Sequence, residues 1–134
     1  MPRKTDSNNP ADWLFIAAAD LEGVRLLARD QVGYEMGVSK LAEVLEKILK
    51  AELLRLGWFL VKTHDLMQLA GELQARNSPL LPEILPLCDA LADRYYAGRY
   101  PGYDLEDSDW PALRKRAEQV AALLLKVKAR VQGQ

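Results

Sequence analysis

Residues 34–57 read YEMGVSKLAEVLEKILKAELLRLG. Within them Val38, Leu41, Leu45, Ile48, Leu49, Leu53 and Leu56 recur at steps of three and four, which sets them along one face of an α-helix, and Gly57 supplies the stop that a helix C-terminus favours. The spacing predicts a helix over 34–56. On its polar stripe Glu43 stands four residues before Lys47, and Glu46 four before Lys50, pairs worth about 0.2–0.5 kcal/mol each on a helix surface. Spacing alone therefore expects a solvated face. Val44 and Leu54 fall outside the main apolar stripe, and burial against a second chain would account for that excess.

Upstream, Asn9, Pro10 and Asp12 form a helix start: a capping amide, a proline suited to the first turn and an acid that complements the helix dipole. Trp13, Ile16, Ala17, Leu21, Val24 and Leu27 then share one face until Gly33 interrupts, and that face is expected to pack inward. Downstream, residues 58–62 are apolar and β-tolerant but have no second strand to pair with, so they read as a packed connector. Thr63 is the expected cap of a short third helix carrying Leu66, Leu69, Ala70 and Leu73 inward. Prolines at 79, 82 and 86 obscure the start of a fourth helix, and Pro86 reads as its first turn. Gly98, Pro101 and Gly102 impose a loop, after which Ser108 or Asp109 caps a last helix with Leu113, Ala117, Val120, Leu124, Val127 and Val131 inward. The prediction is an all-α, antiparallel up-and-down four/five-helix bundle over 10–132, preceded by a disordered tail over 1–9.

Composition agrees with helices. Hydrophobic residues make up 49% of the chain and aromatics only 7%, so the core must come mainly from Leu, Ala, Val and Ile rather than from the aromatic side chains that sandwiches favour. Lys and Arg number 18 against 19 for Asp and Glu, which leaves no global positive field, so any nucleic-acid contact must rest on a local patch. With a single cysteine, Cys88, and a single histidine, His64, neither an intramolecular disulfide nor a Cys/His zinc site can form. No window approaches the roughly 18 apolar residues that a membrane span needs, and the polar N-terminus does not read as a signal peptide. A cytoplasmic protein without metal or cofactor is expected.

Three stretches stand together in a particular order: Leu41-Ala-Glu-Val-Leu-Glu46-Lys47-Ile-Leu-Lys50-Ala51, then Thr63-His64-Asp65-Leu66, then Arg99-Tyr100-Pro101-Gly102. With Trp13 and the Ala19-Asp20-Leu21 triplet of the first helix, they resemble the HEPN family across about residues 11–130. The resemblance implies a helical, nucleotide-associated domain that dimerises and acts beside a minimal nucleotidyltransferase, in a toxin–antitoxin-like pair. Where the family usually has His and Gln before the Glu-Lys of its second helix, this chain has Ser39, Lys40, Ala42 and Glu43. Ribonuclease members carry Arg, about four to six residues, then His, a pair that supplies a phosphate-stabilising cation and a proton-transfer group. Here Arg55 lies too far before His64 for that spacing, and no histidine follows Arg94 or Arg99. The resemblance therefore implies a non-catalytic nucleotide- or RNA-binding module.

Candidate ligand residues follow from chemistry. Arg94-Tyr95-Tyr96-Ala97-Gly98-Arg99-Tyr100 interleaves guanidiniums with phenol rings, which suits a phosphate contact beside a stacked base; alternatively the tyrosines plug the bundle end and the arginines pair with Asp93, Asp104 or Glu106. His64, at a helix N-terminus, could receive an anion or make a structural hydrogen bond. Arg94, Arg99 and His64 are accordingly expected on phosphate, Tyr100 on a base, and Lys47 and Lys50 as further charge, with the imidazole close to the Tyr/Arg segment. The acids at 104, 106, 107 and 109 lack the order of a calcium loop, and no triad or Gly-rich phosphate loop is present. Two rivals remain: a divergent metal-independent ribonuclease that uses His64, and a purely structural adaptor.

Overall fold

Each helix begins and ends where the local chemistry allows it. The computed structural model describes residues 7–94 and 107–133. Helix α1 (Pro10–Asp30) is capped by the Asn9 side chain, which accepts from the Ala11 N–H at 3.0 Å. Ser7, inside the stretch expected as tail, donates to Asp12 at 2.6 Å and accepts from the Trp13 indole at 2.8 Å, so the cap extends back to that residue. Helix α2 (Tyr34–Arg55) follows, then α3 (Leu66–Ala75), α4 (Leu81–Leu91) and α5 (Trp110–Gln132).

Three of the exits share one device. After α1, α2 and α3 the chain turns on a left-handed residue, Gln31, Gly57 and Asn77 respectively, and the next N–H reaches back to Leu27, Leu53 or Leu73 at 3.0–3.1 Å. This closure satisfies carbonyls that the helix end would otherwise leave open.

Helix α2 is the hub. Leu41, Leu45, Ile48, Leu49 and Leu53 are fully buried, as the spacing of the sequence predicts, and α1, α3, α4 and α5 all pack on α2. Asp20 near Lys47 and Trp13 near Lys50 show that α1 runs antiparallel to α2. Gly37 beside Leu113 and Glu52 beside Arg130 show α5 parallel to α2, while Ser78 at Glu52 and Arg94 at Glu35 show the chain through α4 returning antiparallel. The order α1 up, α2 down, α4 up, α5 down is the up-and-down bundle, with α3 as the shorter extra element. Gly37 permits the closest α2–α5 approach: a Cβ there would meet Leu113 Cδ2 at 3.3 Å.

Several local expectations are corrected. Asp65 rather than Thr63 caps α3, accepting from the N–H groups of Met67 and Gln68, because Asp65 directly precedes the first helical residue while Thr63 Oγ1 accepts from the Asp65 N–H. Helix α4 starts earlier than Pro86: Pro82 occupies its first turn, and Pro86 sits inside on an exposed face. On α1, Leu14 and Ala28 are buried while Ile16 is 43% exposed. Val44 is buried within the single chain, so its position needs no second protomer. Residues 58–62 form no strand, as expected, yet pack only in part, with Trp58 buried and Phe59 standing outward.

Candidate functional site

Glu46 and Lys50 lie one helical turn apart on α2, and the sequence gives them as a surface pair. The structure covers them: each is only 4% exposed. Lys50 Nζ lies 2.8 Å from Glu46 Oε2 and 5.2 Å from the centre of the Trp13 ring, so α1 shelters the pair from one side. From the other side the connector after α2 brings His64, whose Nδ1 is 2.8 Å from Glu46 Oε1. A carboxylate at that distance requires a proton on Nδ1, which fixes the ring's orientation toward Glu46. One buried carboxylate thus holds an ammonium with one oxygen and an imidazole with the other. The reason is local: the left-handed turn at Gly57 sends the chain back along α2, and Asp65 then ends the connector by starting α3.

These groups border an open cleft of about 340 Å³ whose walls are Trp13, Leu60 and Val61 on the apolar side and Glu46, Lys47, Lys50, Lys62, Thr63 and His64 on the polar side. Lys47 Nζ stands 3.9 Å from Asp20 Oδ2, a loose pair. The His64 side chain is 48% exposed, whereas that of Glu46 is nearly enclosed. Three ammonium groups against one carboxylate on the walls give the cleft a local positive balance in a chain whose net formal charge is −1. Such a surface, part apolar and part cationic, can take a phosphate against the ammonium groups and a flat ring against the apolar wall.

Of the residues expected on a ligand, His64, Lys47 and Lys50 come together here. Arg94 does not. Its guanidinium binds Glu35 at 2.6 Å in the first turn of α2, and eleven residues at 1.5 Å each put Glu35 about 16 Å from Glu46 along the helix axis. The expected closeness of the imidazole to the Arg/Tyr segment is thus corrected at Arg94. Arg99 and Tyr100, with Tyr95 and Tyr96, lie outside the described residues. Trp13 and Lys62 were missed as cleft residues. Trp13 was legible only as a core aromatic of α1, and Lys62 only as the end of a connector.

A second polar cluster, absent from the sequence reading, lies farther along α2. Glu52 is fully buried and accepts from Arg55 and Arg130 at 3.0 Å and from the Ser78 hydroxyl at 2.9 Å. Burial pushes its carboxyl up, but the hydrogen bonds from Arg130, Arg55 and Ser78 outweigh that and hold it below the usual carboxylate value. Both of its oxygens are spent on ties between α2, α5 and the α3–α4 turn, so the cluster fastens the bundle. Among the described residues no group of His, Cys, Asp and Glu is arranged to hold a metal, and no helix is long and apolar enough to cross a membrane. The Cys88 thiol is buried and pushed up to about 12 by desolvation, with Asp89 adding to the rise, which removes it as a nucleophile.

The family model described as HEPN domain matches residues 10–128 of the chain. No curated protein and no solved structure matches it.

Proposed function

This chain belongs to the HEPN domain family, whose members point to nucleotide- or RNA-related roles, and from that membership we propose that it is a non-catalytic module that binds nucleotide or RNA phosphate in the cleft between α1, α2 and the connector. The observation that carries the reading is the convergence of Lys47, Lys50, Lys62 and His64 on one open cleft with an apolar wall. Lys47 and Lys62 reach the phosphate directly. Lys50 and Glu46 support His64, since burying an ion pair beside a half-exposed imidazole orients that ring at little cost in mobility. Arg99 and Tyr100 belong to the same proposal as a phosphate and a base contact, whereas Arg94, held by Glu35, acts on the bundle end. The module works as a homodimer, as HEPN domains often do, beside a minimal nucleotidyltransferase in a toxin–antitoxin-like pair.

Titration calorimetry with ATP and with a short RNA tests the reading. Replacing Lys47 and Lys62 together by Ala should weaken binding by about tenfold or more and flatten its salt dependence. Unchanged affinity in that double variant overturns the cleft assignment, and unchanged affinity in Arg99→Ala removes that residue from it.

One observation favours a second reading. A buried carboxylate orienting a half-exposed imidazole is also the arrangement of a general base, which fits a divergent metal-independent ribonuclease. Specific RNA cleavage that disappears in His64→Ala would establish that reading in place of simple binding.

A further inference from the structure

The connector after α2 exposes a side chain that the cleft does not use. Trp58 N–H closes the helix end on the Leu53 carbonyl at 3.0 Å and its ring is buried, while the side chain after it stands clear of the core. That side chain is Phe59, at 88% exposure the most open of the large apolar residues described. Val61, two residues on, is 46% exposed and already forms part of the cleft wall. Two residues of chain span at most about 7 Å, so Phe59 stands within that distance of the rim that Val61 marks. The next residues, Lys62 and His64, are polar and exposed.

We propose that Phe59 is a stacking platform for a base of a single-stranded polynucleotide whose neighbouring phosphate occupies the Lys47/Lys62/His64 cleft. The proposal rests on the phosphate reading of that cleft and adds to its apolar wall a second surface for a base, which favours an unpaired strand over a bare polyanion. A phenyl ring has no hydrogen bond to offer, so it gives no sequence readout, but every base has a face that it can cover. The Lys62 ammonium on the same connector favours this occupant over an apolar protein surface, which would have to strand that charge in its interface. A ring-bearing residue within about 7 Å of an ammonium-lined rim lies inside the reach of a nucleotide from its base to its phosphate.

The test is fluorescence anisotropy with labelled single-stranded octa-adenylate RNA, the same RNA as a blunt duplex, and unlabelled tripolyphosphate as competitor. Wild type should bind the single strand more tightly than the duplex and be displaced by tripolyphosphate. Phe59→Ala and Phe59→Leu should each lose about 5- to 100-fold in single-strand affinity, although leucine keeps the apolar surface. Phe59→Trp should retain affinity and show quenching of the new indole on binding, a sign of stacking. If wild type binds neither RNA nor tripolyphosphate, the phosphate reading fails and this one with it. If wild type binds both but the Ala and Leu variants hold the single strand as tightly as wild type, only the role of Phe59 is overturned. Equal affinity for strand and duplex, or self-association lost in Phe59→Ala with RNA affinity intact, also overturns it, the latter assigning the ring to a protein contact.

Discussion

Replacing Glu52 by Ala removes the one carboxylate that receives Arg55, Arg130 and Ser78 at the junction of α2, α5 and the α3–α4 turn. Breaking a buried, hydrogen-bonded ion pair from one side costs about 3–5 kcal/mol, because the groups left behind lose solvent as well as their partner. Here the Arg55 and Arg130 side chains are 14% and 27% exposed, so both guanidiniums can recover some hydration, and the lower end, about 3 kcal/mol, is expected. For a domain of this size that amounts to roughly 10 °C in Tm, out of a total stability of about 5–15 kcal/mol. Urea unfolding followed by far-ultraviolet circular dichroism should show a lower midpoint with an unchanged slope. The loss should also depend on pH. Since the folded-state value of Glu52 lies below its ordinary 4.5, the unfolded chain takes up the proton first on acidification. The stabilisation is therefore fully present above about pH 4.5 and drains away as pH falls through the lower folded value. Wild type and Glu52→Ala should converge in stability at the acid end of that window. A difference under 1 kcal/mol at pH 7, or one that does not shrink on acidification, refutes the assignment of this cluster as the fastening of the bundle.

Two further perturbations probe other links. Gln31 holds a left-handed conformation with φ 55° at the exit of α1, where glycine carries no Cβ penalty, so Gln31→Gly should raise stability by about 0.5–1 kcal/mol in the same urea assay, and a loss would contradict the strain argument. Cys88, fully buried and with its thiol pushed up to about 12, should react with an aromatic disulfide reagent only at the rate of unfolding. The unfolded thiol ionises near 9.0 while the folded one stays protonated, so stability should be intact below pH 9 and fall as pH rises toward 12, a decline that Cys88→Ala should lack.

The part of the fold that depends on one segment at a time was legible. The leucine stripe of α2, the Asn9 cap and the Gly57 stop each follow from side chains within a turn or two of one another, and the structure has them as the sequence predicts. The errors arise where two local rules compete. Thr63 and Asp65 both satisfy the rule for a cap, and only the path of the connector decides that the hydroxyl takes the Asp65 N–H while the carboxylate takes the helix. Pro86 satisfies the rule for a first turn, but Pro82 does so four residues sooner, and the later proline is tolerated because its face meets solvent.

The cleft was illegible for a different reason. The spacing of Glu46 and Lys50 states that they can pair, and nothing in spacing states what lies over them. Their burial comes from Trp13, more than thirty residues earlier, and from a connector that folds back only because the turn at Gly57 is left-handed. The same pair therefore changes meaning with its cover: on a bare helix it is a modest surface contact, and under an indole and an imidazole it becomes the support of a half-exposed histidine. If that is right, the coupling can be measured. A double-mutant cycle of Lys50→Met and His64→Ala, followed by urea unfolding, should show a non-additivity of at least about 0.5 kcal/mol, because both side chains act on the same buried carboxylate. Additive effects would mean that Lys50, Glu46 and His64 are neighbours without being a unit.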